Sequence, residues 1–140
     1  MIHLGYSGPS KGMTADQIRI FESWLRNHAL DGPVMFHHGD CIGGDAQAHA
    51  IAAMLRGVQI HIHPPINESK RAFCYPSDVQ SEPKEYLPRN DDIISASEEL
   101  FCAVPTDSMT PRSGPWYVVK HGKDKGRIVF AVNQRGLLVT

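Results

Sequence analysis

Cysteine is scarce in this chain: three residues, at positions 41, 74 and 102, stand far apart and form no CxxC pair. That spacing implies neither a disulfide framework nor a thiolate zinc site, and a reducing, cytoplasmic setting is expected. Long apolar runs are missing too. The start, MIHLGYSGPSKGMT, has neither the basic region nor the apolar core of a secretory signal, so neither export nor membrane contact is expected. Charge of one sign is also absent. The 14 Lys and Arg against 15 Asp and Glu leave a formal net charge of -1, which gives no global attraction to nucleic acid. What is present is ordinary: 41% hydrophobic and 21% charged residues over 140 positions, enough for one globular core.

Periodicity divides the chain into alternating strands and helices. Ile2 to Tyr6 is a short apolar run ending at SGPSKG, followed by a helical pattern from Thr14 through Ile18, Phe21, Trp24 and Leu25, with Thr14 or Asp16 as its cap. Asp31-Gly32-Pro33 is a turn and Val34 to His37 a buried strand. Asp45 to Arg56 is a helix with Ala48, Ile51, Ala52 and Leu55 on one face, ended by Gly57. Val58 to His63 alternates as a third strand. Residues 64 to 88 hold prolines at 64, 65, 76, 83 and 88 with little periodicity, which predicts a long loop: a lid over a site or a homo-oligomer contact. Beyond it, Arg89 to Ser97 reads as a helix, Leu100 to Val104 as a strand, Ser113 to Lys123 as a helix, Arg127 to Val132 as a strand and Leu137 to Val139 as a short terminal run. This alternation predicts a single α/β domain over residues 1–140, Rossmann-like, with a mostly parallel sheet and helices on both faces. Ligands of such sheets sit beyond the carboxyl ends of the strands.

Polar and glycine-rich segments gather at those ends: GYSGP, HHGDCIGGD, HPP, PTDSMTPRSGPW and NQRG. In FHHGDCIGGDAQAHAIAAML, Gly39, Gly43 and Gly44 predict a turn where the backbone approaches a ligand, followed by helix amides suited to phosphate. Gly5, Ser7 and Gly8 predict a tight turn able to hold a phosphate or sugar oxygen, with Lys11 adding charge. Asp40 either meets ribose or base groups or braces the loop, whereas Asp45 reads first as a helix cap. Arg89 and Asn90 follow Pro88 at a helix start, placed for phosphate and ribose or for a plain cap and surface ion pair. Arg112, Ser113 and Gly114 form a second candidate phosphate cradle, with Ser113 as N-cap and Pro115 in the first turn. Trp116 stacks on a base or belongs to the core. His38 or His49 could donate to phosphate or act in acid-base chemistry. His37 and His38 point to opposite faces of a strand, while His61 and His63 share one, a pair that with Asp40 or Cys41 could ligate zinc. With no HExxH and no second ligand pair at finger spacing, neither a metal nor a cofactor is expected.

GYSGP, HHGDCIGGDAQAH, the pair Pro64-Pro65, YLPRNDDII and RSGPW followed by a helix and GRIVFAV resemble, in kind and order, the SLOG superfamily over nearly the whole chain. Within it the sequence is most similar to the small, often phage-encoded proteins related to YspA, and more distantly to the Rossmann domain of DNA-processing protein A and to the LOG phosphoribohydrolases. The resemblance implies a nucleotide or nucleotide-derived ligand, ADP-ribose-like or a cyclic nucleotide signal, held among the glycine turns, Pro64 and PRN. It further implies a sensor or sequestering role in phage or defence biology.

The phosphoribohydrolases carry PGGxGTxxE. Here RSGPWYVV puts Pro115 where the threonine would be and Val118 where the glutamate would be, and valine neither acts as a base nor stabilises an oxocarbenium ion. Binding is therefore expected ahead of N-glycosidic hydrolysis, which Asp40, Asp45, Glu82 or Glu85 would have to support. The likeness to DNA-processing protein A implies a third reading, single-stranded DNA binding through Lys70, Arg71, Phe73 and Tyr75, against which the near-neutral charge stands.

Overall fold

The computed structural model describes residues 1–139. The chain runs β1 (Ile2–Ser7), α1 (Ala15–Asp31), β2 (Val34–His38), α2 (Gly44–Ala53), β3 (Val58–Ile62), a 3-10 turn (Glu68–Lys70), β4 (Val79–Gln80), α3 (Tyr86–Ala96), β5 (Glu99–Ala103), α4 (Gly114–Asp124), β6 (Ile128–Val132) and β7 (Leu138–Val139). The strands form one sheet in the order β4-β3-β2-β1-β5-β6-β7, parallel throughout except for the terminal β7, which runs antiparallel to β6. This is the α/β, Rossmann-like architecture expected from the alternation. The chain works outward from β1 through β2 and β3 to β4, then returns to β5 on the other side of β1. The order therefore reverses at the carboxyl ends of β1 and β5, where ligands of doubly wound sheets bind.

Alternation along the strands decides which residues enter which core. Leu4, Tyr6, Val34, Phe36, Ile60 and Ile62 pack with Phe21 and Leu25 of α1 and with Ala48 and Ala52 of α2. On the opposite face, Leu100 and Cys102 pack with Ile93 and Ile94 of α3 and Val118 and Val119 of α4. Gly5 lies on this second face inside β1, where a Cβ would collide with Ser97, Leu100 and Ile93. It gives way to the protein's own side chains rather than forming the ligand turn predicted for it.

Thr14 is the N-cap of α1. Its hydroxyl accepts from the Gln17 amide at 3.2 Å while the Gln17 side-chain oxygen accepts from the Thr14 amide at 3.0 Å, a reciprocal capping box. Buried Gln17 also donates to the carbonyls of Val104 and Val132, at 3.1 and 3.0 Å, tying the start of α1 to the ends of β5 and β6. That bond fixes one wall of the rim.

Three expectations change. Helix α2 ends at Ala53, short of Arg56, and α3 begins at Tyr86 rather than Arg89. The stretch 64–88, expected as a structureless loop, contributes the edge strand β4 in parallel register with His61 and Ile62 of β3, and Pro65 bridges to Lys84. Among the described residues, no helix is long and apolar enough to cross a membrane.

Candidate functional site

A cavity of about 930 Å³ opens at the switch point. Its walls come from the turn after β1 (Ser7, Gly8, Ser10, Lys11), the loop after β2 (Gly39, Cys41), Asp45 of α2, Pro65, and the start of α3 (Glu85, Tyr86, Arg89, Asn90). Pro105, Arg112 to Pro115 and Gln134 complete the rim beyond β5 and β6. The volume suits a small molecule or cofactor. Its charge departs from that of the whole chain. Lys11, Lys70, Lys84, Arg89 and Arg112 face only Asp45 and Glu85, so a protein of net charge -1 presents a surplus of cations here. Lys84 is paired with Asp92 at 2.6 Å, whereas Lys11, Lys70 and Arg112 make no ion pair among the described residues.

Four amides of the HHGDCIGGD loop, where the glycines predict an anion cradle, are bonded within the protein. The Asp40 amide donates to His38 Nδ1 at 3.0 Å, the Cys41 amide to Asp45 Oδ2 at 3.1 Å, the Ile42 amide to the Lys70 carbonyl at 3.0 Å and the Gly44 amide to the Pro9 carbonyl at 2.9 Å. Gly43 adopts φ +94°, and a Cβ there would strike the Ser10 carbonyl; one at Gly44 would strike the Tyr6 hydroxyl. The glycines let the turn after β1 lie flat on the start of α2. Gly43 and Gly44 thus serve the packing of two loops, whereas Gly39 lines the cavity.

His38 and Asp40 also turn inward. Both are fully buried and neither lines the cavity. Since His38 Nδ1 accepts from the Asp40 amide, its proton sits on Nε2, which donates to His49 Nδ1 at 2.9 Å. Burial, reinforced by His49, holds the His38 pKa well below its ordinary value, so both ring nitrogens are committed internally. Asp40 accepts from Arg71 Nε at 2.6 Å and from the Cys74 amide at 2.8 Å. Of its two sequence readings, bracing is the one the contacts match.

Arg89 is 4% exposed and acts first as a clamp. Its Nη1 donates to the carbonyls of Gly39 at 2.5 Å and His63 at 3.2 Å, and its Nε to Asn90 Oδ1 at 2.9 Å, so α3 is bolted to the ends of β2 and β3. The surface ion pair considered for it is absent among the described residues. Nη2 makes no hydrogen bond among the described residues. Asp45 is no N-cap: the cap is Gly43, without a side-chain bond, and Asp45 lies buried in the first turn of α2. Burial raises its pKa to about 6, with Arg89 opposing the rise.

Two residues of the cavity wall hold buried polar atoms that lack hydrogen-bond partners among the described residues, the Tyr6 hydroxyl and Asn90 Nδ2. Such groups cost about 1–3 kcal/mol each unless something fills them. Tyr6 reads in the sequence as core; the structure places it in the cavity wall, with Gly8 and Gly44 packed over its hydroxyl. Tyr86, which no sequence signal marks, also lines the cavity, and Gly114 is free of a Cβ where the Tyr86 hydroxyl approaches.

Ser7, Gly8, Gly39, Asp45, Arg89, Asn90, Arg112, Ser113 and Gly114 thus converge on one cavity, while Gly5, Pro64, Gly43, Gly44, His38, Asp40 and Trp116 lie outside its walls. Pro65 lines it in place of Pro64. Ser113 caps α4 as expected, accepting from the Trp116 amide at 3.3 Å, with Pro115 in the first turn. Trp116 is 3% exposed, packs in the second core and donates from Nε1 to Thr106 Oγ1 at 2.9 Å, its core reading.

Fold and cavity together define a Rossmann-like α/β protein with a basic rim pocket. No protein-family model matches the sequence, and no curated protein does. Solved structures do. The X-ray structure of TM1055, Northeast Structural Genomics Consortium target VT76, aligns with a TM-score of 0.67 over 92% of this chain and 72% of its own, at 13% identity. The molybdenum cofactor carrier protein MCP from Chlamydomonas reinhardtii aligns with a TM-score of 0.61 over 96% of this chain and 79% of its own, at 18% identity. At such identities the likeness shows the shared fold, and it carries the SLOG resemblance as far as its Rossmann-like architecture.

Proposed function

We propose that this chain binds a nucleotide or nucleotide-derived ligand, of the ADP-ribose or cyclic-nucleotide kind, in the rim cavity. The observation that carries the reading is the surplus of cations there, Lys11, Lys70 and Arg112 without internal partners, in a chain whose overall charge is slightly negative. Phosphate oxygens satisfy such groups, and Arg112 suits them bidentately. The Tyr6 hydroxyl and Asn90 Nδ2 add buried polar groups that a ribose or base would fill. That a protein of this fold carries the molybdenum cofactor supports small-molecule carriage. On this reading the protein senses or sequesters its ligand.

A second reading, hydrolysis of the N-glycosidic bond, rests on Asp45. Its carboxyl lines the cavity with a pKa near 6, the range of a general acid. Against it stands Val118, fully buried in the second core where the phosphoribohydrolases have their glutamate. Single-stranded DNA binding is weakened by Arg71, whose charge is taken up by Asp40 and whose guanidinium lies over the Phe73 ring at 4.4 Å.

Native mass spectrometry of the protein purified from cells, followed by incubation with ADP-ribose and nucleoside monophosphates, tests these readings. A nucleotide retained and returned intact supports binding. A released base or ribose phosphate supports hydrolysis. No association with any nucleotide removes both.

A further inference from the structure

We propose that His37, His61 and His63, backed by His3, form a binding site for a divalent first-row transition ion of the zinc class. The site lies on the sheet face opposite α1 and α2, and strand register builds it. His37 of β2 stands beside His61 of β3, and His63 follows two residues further on the same side. One nitrogen from each of the three rings lies within 4.8 Å of the other two. His61 and His63 are stacked with centroids 4.1 Å apart, and His37 sits 4.8 and 5.2 Å from them. In a tetrahedral zinc site with Zn–N of about 2.0–2.1 Å, ligand nitrogens stand about 3.4 Å apart, so small side-chain rotations bring these three to coordination.

The surroundings are those of a ligand set. His37 Nδ1 and His63 Nε2 meet at 2.9 Å, while the other nitrogen of His37 is hydrogen-bonded to His3 Nδ1 at 2.9 Å. His61 Nε2 is hydrogen-bonded to Ser81 Oγ at 2.7 Å. Outer partners of this kind fix the tautomer and orientation of metal-ligating imidazoles. His63 is 4% exposed, and its Nδ1 has no partner among the described residues. The protein therefore leaves bonding capacity unfilled in a cluster that a few aliphatic side chains would occupy at lower cost. Three imidazoles suit zinc and its neighbours in the transition series, and they leave a fourth position for water. His61 and His3 are only partly buried, which opens the cluster to solvent on their side.

A second grouping, His38, His49 and Cys74, has similar spacing but the wrong protons. The Asp40 amide occupies the His38 Nδ1 lone pair, which places hydrogen on Nε2, the nitrogen that faces His49. That ring has no lone pair to give.

The chelator-stripped full chain, loaded with excess Zn(II) and then dialysed against metal-free buffer, is assayed by inductively coupled plasma mass spectrometry, and its Co(II) form by visible absorption. One retained equivalent and the intense d–d bands of tetrahedral Co(II) are expected. His61→Ala, at a half-buried strand position, and His63→Gln should each weaken Zn(II) binding by on the order of a hundredfold or more, His3→Ala by about tenfold to a hundredfold, and Cys74→Ser not at all. Circular dichroism confirms that each variant is folded. Substoichiometric metal in the wild type, binding undiminished in His61→Ala and His63→Gln, or loss on Cys74→Ser would overturn the proposal.

Discussion

The Arg89 guanidinium and Gly39 form one interlock: Nη1 donates to the Gly39 carbonyl at 2.5 Å, and a Cβ on residue 39 would occupy the space of the same nitrogen. Arg89→Ala leaves the Gly39 and His63 carbonyls without their charged donor and should destabilise the fold by about 1.5–3 kcal/mol. Gly39→Ala should cost about 1–3 kcal/mol through the same displacement. Because both act on one contact, the double variant should lose less than their sum, which urea unfolding of the three proteins measures.

Tyr6→Phe separates stability from binding. The hydroxyl is buried and unpartnered, so its removal should leave stability in urea unchanged or raised, by about 3 kcal/mol at most. Nucleotide affinity should fall at the same time. Loss of stability with affinity intact would mean that the hydroxyl serves the fold.

Asp45 makes the site pH-dependent. Its pKa in the fold, about 6, lies above its ordinary 3.8, so the neutral form is favoured in the folded state. Its stabilising contribution is complete below about pH 3.8 and is lost as pH rises through about 6, a change of about 3 kcal/mol at most. Asp45→Asn should flatten that part of the stability curve between pH 4 and 7, as followed by denaturant unfolding. A diphosphate diester such as ADP-ribose has no phosphate group titrating near pH 6. Its affinity should therefore strengthen as pH falls through about 6 in the wild type and stay level in Asp45→Asn.

Two glycines with similar φ should respond differently to alanine. Gly43, at φ +94°, faces the Ser10 carbonyl, whereas Gly57, at φ +85°, has open space around it. Gly57→Ala should cost only conformational strain, about 1 kcal/mol. Gly43→Ala adds a collision with backbone and should cost more than Gly57→Ala, with a correspondingly larger drop in melting temperature.

The fold was legible because its signals are local. The Thr14 box, the Ser113 cap followed by Pro115 and the apolar runs at Val34 and Leu100 announce themselves in a few residues each. Strand β4 was not, since Val79 and Gln80 are both exposed and pair by position rather than by pattern. The candidate site was half legible. Sequence marks Arg89, Arg112 and Ser113 as residue types that suit anions, but it does not show that the amides of residues 40, 41, 42 and 44 are taken by neighbouring loops. The histidines show the same limit. His61 and His63 alternate visibly within one strand, yet only the register of three strands brings His37 and His3 beside them.

Titration calorimetry with ADP-ribose and a panel of mono- and cyclic nucleotides, comparing wild type with the Lys11→Ala/Arg112→Ala variant at low salt, bears most directly on the rim cavity. Saturable binding of at least one nucleotide at one per chain is expected, weakened by about 3 kcal/mol or more in the double variant, whose two cations make no internal ion pairs and whose fold should be unaffected. No heat of binding for any nucleotide, or an affinity indifferent to both substitutions, would contradict it.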